Sequence, residues 1–193
     1  MRRLEGRVSL VTGAGSGIGR STACRFAEEG AIVVVVDINA DGAAETAELI
    51  EGKGQTACWF QADVSQEEAV TDVVEEVQTR FGTPSVLMTA AAISVGATVP
   101  DTGPEEWDRV FEVNVKGTFL WMRACIPLMA AKGGSIIAVA SQLAVSGGLS
   151  NAAYIASKGA IVSLCRTAAN DHASNGIRIN CILPGATETP LLD

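Results

Sequence analysis

The run AIVVVVD, residues 31 to 37, is apolar at every position but its last and shows no alternation. Strands buried on both faces read this way in parallel sheets. RVSLVT (7 to 12) is a shorter β-rich run that ends in glycines. Between the two, RSTACRFAEEG (20 to 30) sets Cys24, Phe26 and Ala27 among polar residues at helical spacing and stops at a glycine, which predicts a helix and closes a βαβ unit. The alternation continues with a helix over 41–51, a strand at QTACWF (55 to 60), a helix over 66–81 and a strand at SVLMTA (85 to 90). Pro104 suits the first turn of a longer helix running toward Ala131, which Pro127 is expected to bend or break. A strand at SIIAVAS (135 to 141), a helix over 152–172 and a strand at IRINCIL (177 to 183) complete the series. Six strands alternating with helices predict an α/β fold, a doubly wound and mostly parallel sheet with helices on both faces. With neither an internal repeat nor a low-complexity linker, residues 1–193 read as a single domain.

The link between the first strand and first helix is TGAGSGIG, Thr12 to Gly19. Gly13, Gly15, Gly17 and Gly19, interleaved with Ser16 and Ile18, let the backbone turn sharply and approach a ligand closely. The loop then delivers that ligand to a helix N-terminus, where unpaired N–H groups favour phosphate. Seated between a strand and a helix, this spacing points to a Rossmann-like dinucleotide site. A Walker-type phosphate loop fails twice, because that register puts Ala14 at its first glycine and Arg20 at its lysine. Asp37 ends the second strand. A carboxylate there accepts hydrogen bonds from the adenosine ribose hydroxyls and repels a 2′-phosphate, which favours NAD over NADP.

AYIASKGA, residues 153 to 160, holds the only tyrosine in the chain, with a lysine four positions on. On a helix Tyr154 and Lys158 share a face. Bringing a phenol from a pKa near 10 to about 7 needs roughly 4 kcal/mol of differential stabilisation, which an ammonium group and an oxidised nicotinamide together can supply. The tyrosine then serves as base toward an alcohol and as acid toward a ketone. Ser141 closes the strand IIAVAS at its carboxyl end, where open α/β sheets bind ligands, and its hydroxyl is placed to hold the substrate oxygen.

TGAGSGIG at 12 to 19, DV at 63 to 64, NVKG at 114 to 117, Ser141, YIASK at 154 to 158 and PGATETP at 184 to 190 occur in the order and at the separations typical of the short-chain dehydrogenase/reductase family, which the sequence resembles over essentially its whole length. The resemblance implies Tyr154 as acid/base, Lys158 on the nicotinamide ribose and lowering the tyrosine pKa, Ser141 orienting substrate, and Asn114 holding a water that links Lys158 to solvent. It also implies Asp63 and Val64 beside the adenine, Pro184 and Gly185 in the cofactor site, and Thr189 near the carboxamide. Where the family carries an NNAG-like segment, this chain has Thr89, Ala90, Ala91 and Ala92, so altered packing is expected at the sheet centre. The family's substrate-loop helices and seventh strand would follow PGATETP; the sequence stops at Asp193, so these residues are expected to form a sheet without that last strand.

Composition narrows the partners. A net charge of -8 and the absence of any basic run disfavour nucleic acid. No segment reaches the roughly 18 apolar residues of a membrane helix, and MRRLEGRVSLV is interrupted by Glu5 and Arg7, unlike a signal peptide. Five scattered cysteines without a CxxC pair suit a reducing, cytoplasmic setting. His172 is the only histidine and ends a helix, where it complements the dipole, so no metal site is expected. Glu67, Glu68, Asp72, Glu75 and Glu76 read as a solvated helix face. Trp107, Phe111, Phe119, Trp121 and Met122 give the long helix more apolar surface than one sheet contact needs; by family resemblance it and the Tyr154 helix would pack on their copies in a homodimer or homotetramer. The expected activity is hydride transfer between NAD and a small-molecule secondary alcohol or ketone. An NADP-dependent 3-oxoacyl reductase and a non-catalytic nucleotide-binding module are the alternatives.

Overall fold

Four consecutive valines, Val33 to Val36, are fully buried in β2 (Ile32–Asp37), as a strand covered on both faces requires. The computed structural model describes residues 2–191; Met1, Leu192 and Asp193 lie outside that description. The other strands are β1 (Val8–Thr12), β3 (Ala57–Gln61), β4 (Val86–Thr89), β5 (Gly134–Val139) and β6 (Ile177–Ile182). They form one six-stranded sheet of order β3-β2-β1-β4-β5-β6. Every pairing is parallel, with Val8 opposite Ile32 and Ser9 opposite Val86 on the two sides of β1. The strand order reverses at β1 and β4, and crevices at such switch points are where this architecture binds ligands.

Two apolar layers cover the sheet. On one face α1 (Gly17–Glu28) and α2 (Ala40–Glu51) pack Ala23, Ala27, Ala43 and Ile50 onto Val11, Val33, Val35 and Met88. On the other face lie α3 (Glu67–Phe81), α4 (Pro104–Phe111), α5 (Gly117–Met129) and α7 (Ala152–His172), the last preceded by a single turn, α6 (Leu143–Ser146). Their Val74, Leu120, Trp121 and Ile161 meet Leu10, Val34, Leu87 and Ile136. The acidic side of α3 is exposed throughout, while Val70, Val73, Val74 and Val77 face inward. β6 departs from the continuous burial of β2: Ile177 and Ile179 are buried, whereas Arg178 and Asn180 are exposed.

Most boundaries fall within two residues of those expected, and α7 spans the whole of 152–172. Three features differ. α1 begins at Gly17 rather than Arg20, inside the glycine loop. The single helix expected over 104–131 is divided by a π-helical turn, Glu112–Lys116, and not by Pro127, which sits in the final turn of α5 two residues before its end. β5 stops at Val139, so Ser141 stands two residues beyond the strand. The π turn also changes which aromatics are available. Beyond it Trp121 and Met122 are buried in the core, and Trp107, before it, and Phe119, after it, are the exposed large side chains of this stretch.

Candidate active site

A cavity of about 460 Å³ runs along the carboxyl ends of the strands. Its floor is built from the segments that follow β1, β4 and β5, and its ends are Asp37 and Asp63 on one side and Tyr154 on the other. β2 and β5 are three positions apart in the sheet and β3 and β5 four. At an interstrand spacing near 4.8 Å the cavity therefore links groups roughly 14 to 19 Å apart, the reach of an extended dinucleotide.

At the acidic end the glycine loop is pressed against its neighbours. Gly13 has φ 64°, and a Cβ there would lie 2.6 Å from the backbone nitrogen of Ala91. A side chain on Gly19 would collide with the carbonyl oxygen of Gly13. The segment Thr89 to Ala92 thus packs directly on the loop, and Thr12 secures it by accepting the N–H of Ala90 at its hydroxyl (3.2 Å). The first amides of α1 have no intrahelical acceptor, and the Ser16 side chain does not cap them, so their N–H groups remain for a phosphate. Asp37 accepts the Gly15 N–H at 2.8 Å and the Asn39 N–H at 2.9 Å, fixing its carboxylate at the loop's edge. Asp63 accepts the Ser65 N–H (2.9 Å) and hydroxyl (2.7 Å) and pairs with Arg109 at 3.3 Å. Burial raises the Asp63 pKa, but these hydrogen bonds and the guanidinium outweigh it and hold the carboxyl below its usual range. Val64 is buried against Gly117, and Thr189 lies over Gly17.

At the other end α7 presents Tyr154 and Lys158 on one face. Lys158 is 2% exposed; its Nζ donates to the Val139 carbonyl at 2.8 Å and lies 5.5 Å from the Tyr154 ring centroid. Burial lowers the ammonium pKa to about 8. Burial also raises the phenol, opposed by a hydrogen bond with the Ser141 side chain. With the chain's own groups alone, then, Lys158 does not bring the tyrosine down; a second positive charge beside the phenol is needed for that. Asn114, fully buried on the π turn, accepts the Ile93 N–H at 2.9 Å and donates to the Ile93 carbonyl and the Ser157 hydroxyl, both at 3.0 Å.

A sequence profile described as short chain dehydrogenase matches residues 7–193. The chain belongs to the short-chain dehydrogenase family. An uncharacterized oxidoreductase YxbG of Bacillus subtilis is 41% identical over 194 residues, covering 100% of this chain and 71% of that protein. Among solved structures, NAD+-bound xylitol dehydrogenase superposes with a TM-score of 0.92 at 38% identity, over 95% of this chain and 71% of that one. A 3-ketoacyl-(acyl-carrier-protein) reductase from Brucella melitensis complexed with NADH gives 0.93 at 40% identity, over 98% and 79%. The protein is accordingly an oxidoreductase of a family that uses nicotinamide cofactors on small molecules.

Of the residues expected from this short-chain dehydrogenase sequence, Gly13, Ser16, Gly17, Ile18, Gly19, Asp37, Asp63, Val64, Ser141, Tyr154, Lys158, Pro184, Gly185 and Thr189 all line the cavity. Gly15 and Asn114 do not; they act on it from behind, through Asp37 and Ile93. Arg109 and Ser157 were missed. Arg109 reaches the cavity from α4 through a contact 46 residues distant in sequence, for which no local pattern exists. Ser157 did carry a signal, since it lies within YIASK three positions from Tyr154, whose carbonyl accepts its hydroxyl at 2.7 Å. No described helix is long and apolar enough to cross a membrane.

Proposed function

We propose that the protein is an NAD-dependent oxidoreductase acting on a secondary alcohol or its ketone, with Tyr154 as general acid/base. The observation that carries this reading is that Ser141, Tyr154 and Lys158 share one cavity with the glycine loop and Asp37. The donor set fits a dinucleotide: loop amides and the start of α1 for the diphosphate, Asp37 for the adenosine ribose, Asp63 and Val64 beside the adenine. Lys158 and Tyr154 serve the second ribose, and Pro184, Gly185 and Thr189 the carboxamide end. A bound NAD would supply the hydride-transfer chemistry at its nicotinamide. Tyr154 takes the hydroxyl proton in oxidation and gives it back in reduction, and Ser141 holds the same oxygen in place. Lys158 carries the positive charge nearest the phenol. Because both ends of the Asn114 carboxamide are engaged, the water-holding role falls to its main-chain carbonyl, which also accepts the Thr118 hydroxyl at 2.8 Å.

The reading includes the setting. Five free thiols suit the cytoplasm, and Trp107 and Phe119, 38% and 44% exposed, are the surfaces on which a second copy would pack to form a homodimer or homotetramer. Calorimetric titration of the full chain tests the cofactor: NAD⁺ should bind saturably and NADP⁺ roughly tenfold or more weakly, because Asp37 opposes a 2′-phosphate. Equal affinity overturns the assignment of Asp37. Tyr154→Phe should lower kcat by about a hundredfold or more while NAD⁺ affinity changes little. Substantial turnover by that variant overturns the mechanism.

A further inference from the structure

Arg109 enters the cofactor end of the cavity from a helix that is itself firmly held. α4 buries Val110 completely and stacks Trp107 on Phe111, with ring centroids 4.8 Å apart. Ahead of its first turn Glu106 accepts the Gly103 N–H at 3.1 Å. From this base the Arg109 guanidinium, 45% exposed, reaches the turn after β3 and forks there. Nη2 donates to Asp63 Oδ2 and Nη1 to the Ser65 hydroxyl, both at 3.3 Å. Glu112, three residues further along the chain, lies 3.9 Å from Nη1.

The remaining contacts of this turn leave one acceptor position open. Ser65 is fully buried, and its N–H and hydroxyl both donate to Asp63 Oδ1, at 2.9 and 2.7 Å. The same hydroxyl oxygen also accepts the Gln66 side-chain amide at 3.2 Å. A carboxylate oxygen accepts about two hydrogen bonds. Oδ1 is thereby filled, whereas among the described residues Oδ2 has Arg109 as its single donor. Its second acceptor position is left for a donor in the cavity, which Asp63 lines together with Ile38, Ala62 and Val64. Those three apolar side chains suit the faces of a planar base. Its edge falls to a carboxylate that stays ionised, because the hydrogen bonds and the guanidinium outweigh burial.

We propose that Arg109 is a positioning residue for the cofactor: by pinning Oδ2 it aims the Asp63 carboxylate at the 6-amino group of the adenine. This rests on the dinucleotide reading above, which sets Asp63 beside the adenine, and adds to it the part played by Arg109. Ser65 restrains one oxygen of the carboxylate and Arg109 the other, so both are needed to fix the plane of the acceptor. An isolated exposed ion pair does little. This one closes a ring through a buried hydroxyl, and its guanidinium bonds two acceptors at once, which fixes direction as well as charge. A 6-oxo group in the same place would turn lone pairs toward a carboxylate and lose its water without replacement. The pinned carboxylate therefore distinguishes an amino purine from an oxo purine.

The test is calorimetric titration of the full chain with NAD⁺ and with nicotinamide hypoxanthine dinucleotide, which carries the oxo group in place of the amine. The wild type should bind NAD⁺ about tenfold or more tightly than the analogue. Arg109→Met keeps the stem of the side chain and removes the fork. It should weaken NAD⁺ about fivefold and the analogue little, so that the preference falls about threefold or more. A preference that stays the same or grows overturns the proposal, because the charge of Asp63 would then read the base without being placed by Arg109. Equal weakening of both ligands overturns it too, since a general loss of structure or of charge does not depend on the amine. A wild type that binds both ligands alike removes the amine from the site and sinks the proposal at its first step. Failure of the underlying reading looks different: the wild type would not bind NAD⁺ saturably at all.

Discussion

An ammonium group that is 2% exposed, with the Val139 carbonyl as its hydrogen-bond acceptor, sits where its charge is poorly solvated. This is why burial brings Lys158 to a pKa of about 8. In the unfolded chain the same group titrates near 10.4. Between those values the unfolded state binds more protons than the folded one, so this residue's contribution to stability rises with pH across that window. The full change is about 3 kcal/mol. Urea midpoints of the wild type and Lys158→Met should therefore draw together from pH 8 to pH 10, with the wild type gaining. Parallel profiles would mean that water reaches the ammonium. On the mechanism proposed above, the residue that costs stability at neutral pH is the one whose charge favours a phenolate at Tyr154.

Asn114 shows how an element positions a site without touching ligand. Its carboxamide joins the segment after β4 to α7, and the π turn places it there. Asn114→Ala would strand the Ile93 N–H and carbonyl, at a cost of about 3 kcal/mol, and loosen the wall that Ile93 forms. Denaturant melts should show that loss together with weaker NAD⁺ binding, whereas Ser157→Ala, which removes one partner, should cost about 1 kcal/mol. Asn114 itself was named from NVKG, but its bridge to Ile93 and Ser157 was not legible, because a π turn is one extra residue in a helical phase and NVKG reads the same with or without it. What was legible rested on local pattern: uninterrupted valines for β2, the polar face of α3, the full extent of α7. The early start of α1 escaped because glycines are poor helix formers; here contact of Gly19 with the Gly13 carbonyl, a tertiary demand, overrides propensity. The residues that line the cavity stand in motifs whose residue types and order the family resemblance named, while Arg109 answers to Asp63 across the fold.

Across the whole molecule the two ends of the sheet divide the work. The cavity opens along the carboxyl ends of the strands, and the amino ends carry a clasp. There Glu29 accepts the Arg3 N–H and guanidinium, each at 3.0 Å, and also pairs with Arg25. The Leu4 N–H donates to the Glu29 carbonyl at 2.9 Å and the Gly6 N–H to the Gly30 carbonyl at 3.0 Å. The segment before β1 is thereby fastened to the turn that starts β2. Hydrogen bonds from Arg3 are the largest cause holding the Glu29 carboxyl at a pKa of about 2, against an ordinary value of 4.5. A depressed carboxylate stabilises the fold above its unfolded pKa and ceases to do so as pH falls through its folded pKa. Wild type should therefore melt higher than Glu29→Gln at pH 6, and the two melting curves should converge as pH drops from 4.5 toward 2. A strand of β1's five residues spans roughly 16 Å, so NAD⁺ affinity should be the same in both proteins. A cofactor defect in Glu29→Gln would show that the two ends of the sheet are coupled. A gap in melting temperature that persisted at pH 2 would show that the clasp acts through shape and not charge.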